Sequence, residues 1–126
     1  INSQKEFDNW HFQKCKKLKS EFLKIYKFKI TFGQSQKWIN MTMKYLFALG
    51  EKRIKNIETN YEYFHIPIDN IVQNELAKIG IPKFKMAWSK LDSYEEYLDY
   101  QKKVRGLIKN QIPMDFEFKL FNKSKL

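Results

Sequence analysis

Apolar residues at Phe7, Trp10, Cys15, Leu18, Phe22 and Ile25 advance by three to five positions with lysines between them. That spacing predicts one long amphipathic helix from about Ser3 to Tyr26. The period lapses from Lys27 to Phe32, and Gly33 predicts a turn. Trp38, Met41, Tyr45, Leu46 and Leu49 then line one face of a second helix, Ser35 to Leu49, with Gly50 as its stop. Glu51 to Ile66 has no sustained period and reads mostly as loop, closed by Pro67. Asp69 is placed to cap a third helix, Asn70 to Ile79, striped by Ile68, Ile71, Val72, Leu76 and Ile79 and ended by Gly80 and Pro82. A short turn is expected around Trp88. Ser93 with Glu96 forms a capping-box pattern that opens a fourth helix to about Lys109, and Pro113 can open a short last helix carrying Phe116, Leu120 and Phe121. The pattern as a whole predicts an all-α fold of four or five helices around one aromatic core. Trp38, Tyr45, Ile71, Leu76 and Leu98 are its expected buried positions.

Composition narrows the class. A chain of 126 residues that is 43% hydrophobic and 17% aromatic is too apolar for a disordered basic tail. It suits one helical domain over 1–126; opening on Ile1 rather than Met, it reads equally as a piece or a reduced form of a larger helical protein. Four glycines and three prolines are too few for a turn-rich β-sandwich. No apolar run approaches the roughly 20 residues of a membrane span, so no membrane partner is expected. The single Cys15 excludes an internal disulfide and cysteine-rich metal sites. A reducing, cytoplasmic setting is the resulting expectation. His11 and His65 stand far apart in sequence, and no Gly-rich phosphate loop or nucleophile elbow occurs, so neither a metal nor a cofactor is implied.

Charge changes the picture. The formal net charge is +10, and the excess lies wholly within residues 14 to 55, where twelve basic residues face only Glu21 and Glu51. A third of the chain carrying all of the excess is the footprint of a protein that meets a polyanion, nucleic acid above all. Lysines outnumber arginines 22 to 2. Lysine acts as a point charge at phosphate, whereas arginine forks onto guanine edges, so the expected contact is with the backbone. A continuous basic face is expected over the first two helices and the segment after Gly50. Lys27, Lys29, Lys44, Lys52, Arg53 and Lys55 are its candidate contacts.

One constellation carries candidate chemistry. Thr31-Phe32-Gly33-Gln34-Ser35-Gln36-Lys37 sets a glycine ahead of a helix with lysine near its start, and His65-Ile66-Pro67-Ile68-Asp69 places an aspartate at the start of the next. The order Gly33, Lys37, Pro67, Asp69 resembles the helix-hairpin-helix–Gly/Pro-Asp superfamily of base-excision DNA glycosylases. The interval of 32 residues from Lys37 to Asp69 is similar to that of its archaeal 8-oxoguanine glycosylase branch. The resemblance covers about residues 30 to 80. Ser35 stands where the family's hairpin carries a second glycine, and the chain is shorter than the family's two helical lobes. The resemblance implies a DNA-binding glycosylase/lyase in which Lys37 is the nucleophile and Asp69 stabilises the sugar cation. It also implies that Gly33, Gln34 and Ser35 lie at the DNA backbone and that an aromatic such as Trp38, Tyr45 or Trp88 stacks on an extruded base. Two other readings stand beside it. One is a helical module that grips nucleic acid without cutting it, and the other is a protein-interaction module anchored by aromatics.

Overall fold

The computed structural model describes residues 1–50 and 58–125, with the side chains of the last helix as far as Leu120. Helix α1 spans Gln4–Tyr26 and starts where Ser3 Oγ accepts the Glu6 N–H at 3.1 Å. It ends at Lys27, which takes a left-handed φ of 57° while its N–H donates to the Leu23 carbonyl. Helix α2 spans Phe32–Leu49. Helices α3 (Asn70–Lys78), α4 (Tyr94–Ile108) and α5 (Pro113–Lys125) follow, with 3-10 turns at Tyr61–Tyr63 and Trp88–Lys90. Among the described residues there is no strand, and the fold is all-α in one domain. Among the described residues, no helix is long and apolar enough to cross a membrane.

The caps foreseen at Asp69 and Ser93 are present. Asp69 Oδ1 accepts the Val72 N–H at 2.9 Å, and Ser93 Oγ accepts that of Glu96 at 3.3 Å. The start of α2 differs from the expectation. Thr31 and Gln34 form a reciprocal capping box, so the helix begins before Gly33 and the turn falls on 27–31. Gly33 instead lies in the first turn of α2, where its N–H donates to the Leu91 carbonyl at 2.8 Å. Thr31 Oγ1 donates to the Ser89 carbonyl, and the Phe32 N–H donates to Asp92 Oδ1. The segment from Trp88 to Asp92 is therefore strapped across the beginning of α2.

Two apolar clusters form the core. Ile66, Ile68, Val72, Leu76, Ile81, Leu91, Tyr97, Tyr100, Val104, Ile108 and Leu120 tie α3, α4 and α5 to the extended segment before Asp69. Phe7, Tyr61, Phe64 and Met114 gather the beginnings of α1 and α5 around the first 3-10 turn. Leu76 is fully buried and Leu98 partly so, as their spacing predicted. Trp38, Tyr45 and Ile71 are not: they are 54%, 62% and 47% exposed.

The physical reason for α2 is that its inward face is polar from Ser35 to Lys44, and only Met43, Leu46 and Phe47 near its end pack against the second apolar cluster. Ser35, Gln36, Asn40 and Lys44 are buried there, each with hydrogen-bonding partners that offset desolvation. The aromatic stripe is therefore displaced outward. Ile71 sits one position before Val72, which takes the buried side of the short α3. The end of α1 also escapes the core: Leu23, Ile25, Tyr26 and the following Phe28 are all half or more exposed.

Candidate nucleic-acid interface

The two residues singled out for chemistry, 32 positions apart, are in direct contact. Lys37 Nζ donates to Asp69 Oδ2 at 2.5 Å, with the two side chains 25% and 20% exposed. Asp69 divides its oxygens, one to the α3 cap and one to the lysine. Lys37 stands in the second turn of α2, one step along from the buried Gln36, whose side chain clasps the strand-like approach to α3. Gln36 Nε2 donates to the Ile68 carbonyl and its Oε1 accepts the Ile68 N–H. That clasp fixes the two helix beginnings against one another and leaves the ion pair at the protein surface.

An aromatic cleft adjoins the pair. Phe22, Phe28, Ile30, Gln34, Lys37, Trp38, Trp88 and Ser89 enclose about 260 Å³. Lys37 Nζ lies 6.0 Å from the centre of the Trp88 ring, and Phe22 meets Trp38 edge-on at 5.2 Å between ring centres. Both tryptophans named from sequence therefore line the cavity that Lys37 enters.

The remaining expected contacts sort unevenly. Lys27 and Lys29 are exposed, as are Lys14, Lys16, Lys17 and Lys24 on α1. None of these six makes an ion pair among the described residues, whereas Lys19 is held by Asp92 at 2.6 Å. Gly33 and Ser35 are buried, with their donors already engaged to Leu91 and Phe32 carbonyls. Gln34 spends its side-chain oxygen on the Thr31 N–H. Lys52, Arg53 and Lys55 lie outside the described residues. Among the described residues, the exposed lysines of the basic segment thus lie on α1 and the 27–31 connection, and α2 adds only lysines that are already paired.

Lys44 is the clearest departure from its expected role. It is buried and donates to Glu117 Oε1 at 2.9 Å, across a pair whose side chains are 11% and 2% exposed. Burial pushes the Glu117 carboxyl above its ordinary range, against the pull of Lys44. Replacing Lys44 by Met should cost about 2 kcal/mol at pH 7, because Glu117 must then take up a proton or remain an uncompensated charge. Urea unfolding at pH 7 and pH 5 checks this: the penalty should shrink at pH 5, where protonation is easier. An equal penalty at both would refute it.

A second polar assembly went unread in the sequence. His11 and His65 meet with ring centres 4.0 Å apart. His65 Nε2 contacts Asp8 Oδ1 at 2.7 Å and its Nδ1 contacts the Tyr97 hydroxyl at 2.7 Å. With Asp8 ionised, Nε2 carries the ring proton and Tyr97 donates to Nδ1. Tyr97 oxygen in turn accepts from Asn40 and Gln101 amides. His11 Nε2 bonds Asn40 Oδ1 at 2.7 Å, and its Nδ1 is shared by the Tyr94 hydroxyl and the Cys15 thiol. Arg105 reaches Asp8 at 3.3 Å. The signal that could have found part of it is Asp8, His11 and Cys15, which stand three and four residues apart on one face of α1. Both histidines are sealed from solvent, so this assembly binds helices together and offers no surface to a ligand.

Comparison with protein-family models, curated proteins and solved structures gives no match for this chain.

Proposed function

We propose that this chain is a DNA-binding protein that works at the sugar of a nucleotide through Lys37 and Asp69, in the manner of a base-excision glycosylase/lyase. The observation that carries the reading is the 2.5 Å contact of these two side chains at the edge of an aromatic cleft. Exposed lysines of α1 and the connection supply the phosphate grip.

The chemistry follows from the contact. As paired, Lys37 is an ammonium donating to a carboxylate, and it must lose a proton before its amine can attack C1′ of the deoxyribose. Asp69 is the acceptor already in place. As the N–C1′ bond forms, the glycosidic bond breaks with its electron pair going to the base, and the proton held by Asp69 passes to that departing base. The restored carboxylate stabilises the positive charge that builds at C1′ as the glycosidic bond breaks. It then takes a proton from the new ammonium and passes it to O4′ as the C1′–O4′ bond breaks, leaving an iminium between Lys37 and C1′.

Incubation with DNA carrying an abasic site in the presence of borohydride is expected to yield a covalent adduct. Lys37→Gln should abolish it. Asp69→Asn should slow base excision about 100-fold while leaving DNA affinity nearly unchanged. The Asn side chain still caps α3, so the fold is kept. An adduct that survives Lys37→Gln would place the nucleophile elsewhere.

A second reading, a module that grips DNA without cutting it, is favoured by one feature: Lys37 is fully engaged as a cation by Asp69. Salt-sensitive DNA binding with no adduct would select that reading.

A further inference from the structure

Trp38 is the partition between two hollows. On one side is the cleft of about 260 Å³ that Lys37 enters, walled by Phe22, Phe28 and Trp88. On the other is a groove of about 450 Å³ between α1 and α2, lined by Trp10, Leu18, Ile39 and Met43 and rimmed by Lys14, Lys17 and Glu21. Trp38 belongs to both, and more than half of it is open to solvent. Phe22 packs against it in a T-shaped contact, with 73° between the two ring planes. Lys14 Nζ lies 5.9 Å from the Trp10 ring centre at the far groove.

This arrangement sets flat π-faces beside cations, Lys14 and Lys17 at the groove and the Asp69-paired Lys37 at the cleft. A duplex keeps its bases stacked on one another, so it can use the cations but leaves the exposed rings idle. An unpaired strand can use both. Each stacked base contributes enough to change affinity about 5- to 150-fold, with little regard to sequence.

We propose that the two hollows form one track for an unpaired nucleic-acid strand, with a base on either side of Trp38 and phosphates carried past Lys14, Lys17 and the lysines beside Phe28. The inference rests on the reading that this face meets nucleic acid, and it adds strand state as the selected property. Charge complementarity argues for the occupant: the rim carries two lysines against one glutamate, and Lys24, Lys27 and Lys29 flank the other hollow's Phe28 in sequence.

The test is a tryptophan-fluorescence titration of the full chain with a twelve-residue oligothymidylate, alone and annealed to its complement. The single strand should bind about 10-fold more tightly and quench the tryptophan emission. Trp38→Ala should erase that preference, with duplex binding and its salt dependence retained. Trp38→Phe should restore most of the preference, because a π-face is returned. Both variants sit at an exposed position, so circular dichroism should match the parent. Equal affinity for both forms, unaffected by Trp38→Ala, would overturn the track while leaving a phosphate grip intact. Full competition by polyglutamate of matched charge would also overturn it, in favour of an acidic peptide partner. Failure of the borohydride adduct bears on the Lys37–Asp69 chemistry alone and leaves the track standing.

Discussion

Between pH 6.5 and pH 4 the fold is expected to lose about 3 kcal/mol of stability from His65 alone. Burial is the main cause: it holds the His65 imidazole down to about 4, against the hydrogen bond that the ring donates to Asp8, while the Arg105 charge pushes in the same direction as burial. His11 is likewise driven well below its usual value by burial and by the neighbouring His65. In the unfolded chain both rings would titrate near 6.5. The unfolded state therefore binds more protons than the folded state between about 4 and 6.5. Stability is fully present above that window and falls as the pH drops through it. Asp8 adds a second loss at lower pH. Burial would raise its carboxyl, but hydrogen bonds to His65 and Gln4 and the charges of His65 and Arg105 bring it to about 2. Its contribution disappears as the pH falls from near 4 toward 2. The groups packed around the two rings are Tyr94, Tyr97, Asn40, Cys15 and Arg105. None of them is an added acid that could receive a second proton in this range. Urea midpoints at pH 7, 5.5 and 4.5 measure the effect, and a constant midpoint across the three would refute it.

The same assembly shows where sequence reading succeeds and where it stops. Asp69 and Ser93 announced their helices because a cap closes within four residues, and its partners all lie in the local sequence. The inward face of α2 could not be read that way. Gln36, Asn40 and Lys44 recur at helical spacing, but what makes them interior residues lies 26 to 73 positions further on, in the carbonyls of Ile66 and Ile68 and the carboxylate of Glu117. Without those partners a polar stripe reads as solvent-facing, and the aromatic stripe of Trp38 and Tyr45 reads as core. For Trp38 and Tyr45 the two assignments are inverted together, whereas Leu46 of the same stripe does pack against the core. The inversion also changes which residues are candidate contacts. It takes Lys44 out of the basic surface and puts Trp38 into it. The Lys37–Asp69 contact was legible because each residue stands near a helix start, and Gln36, adjacent to Lys37, draws those starts together. The aromatic cleft was legible only as two named tryptophans; its third wall, Phe28, lies in a stretch without periodicity.

Replacing Gly33 by Ala should destabilise the protein by about 3 kcal/mol or more. A Cβ at this position would stand 1.9 Å from the Trp88 carbonyl oxygen, 3.0 Å from its carbon and 3.2 Å from the Leu91 oxygen. All three atoms are backbone, so no side chain can swing aside to relieve the contact. Either the Trp88–Asp92 strap lifts off, or the first turn of α2 unwinds. Lifting the strap breaks the bonds from the Gly33 and Phe32 N–H groups and the Thr31 hydroxyl. It also carries Trp88 away from Lys37 and opens the cleft they share. The glycine is thus required by close approach of two backbones rather than by an unusual dihedral angle. Gly106 supplies the contrast. It lies within α4 with nothing within 4 Å of its would-be Cβ, so Gly106→Ala should stabilise by about 0.5 to 1 kcal/mol through helix propensity. Thermal melts of the two single variants beside the parent decide the matter, with tryptophan emission reporting displacement of Trp88. If Gly33→Ala melted with Gly106→Ala and kept the parent's emission, the strap would not be the close contact that fixes the start of α2, and the cleft would owe its shape to something else.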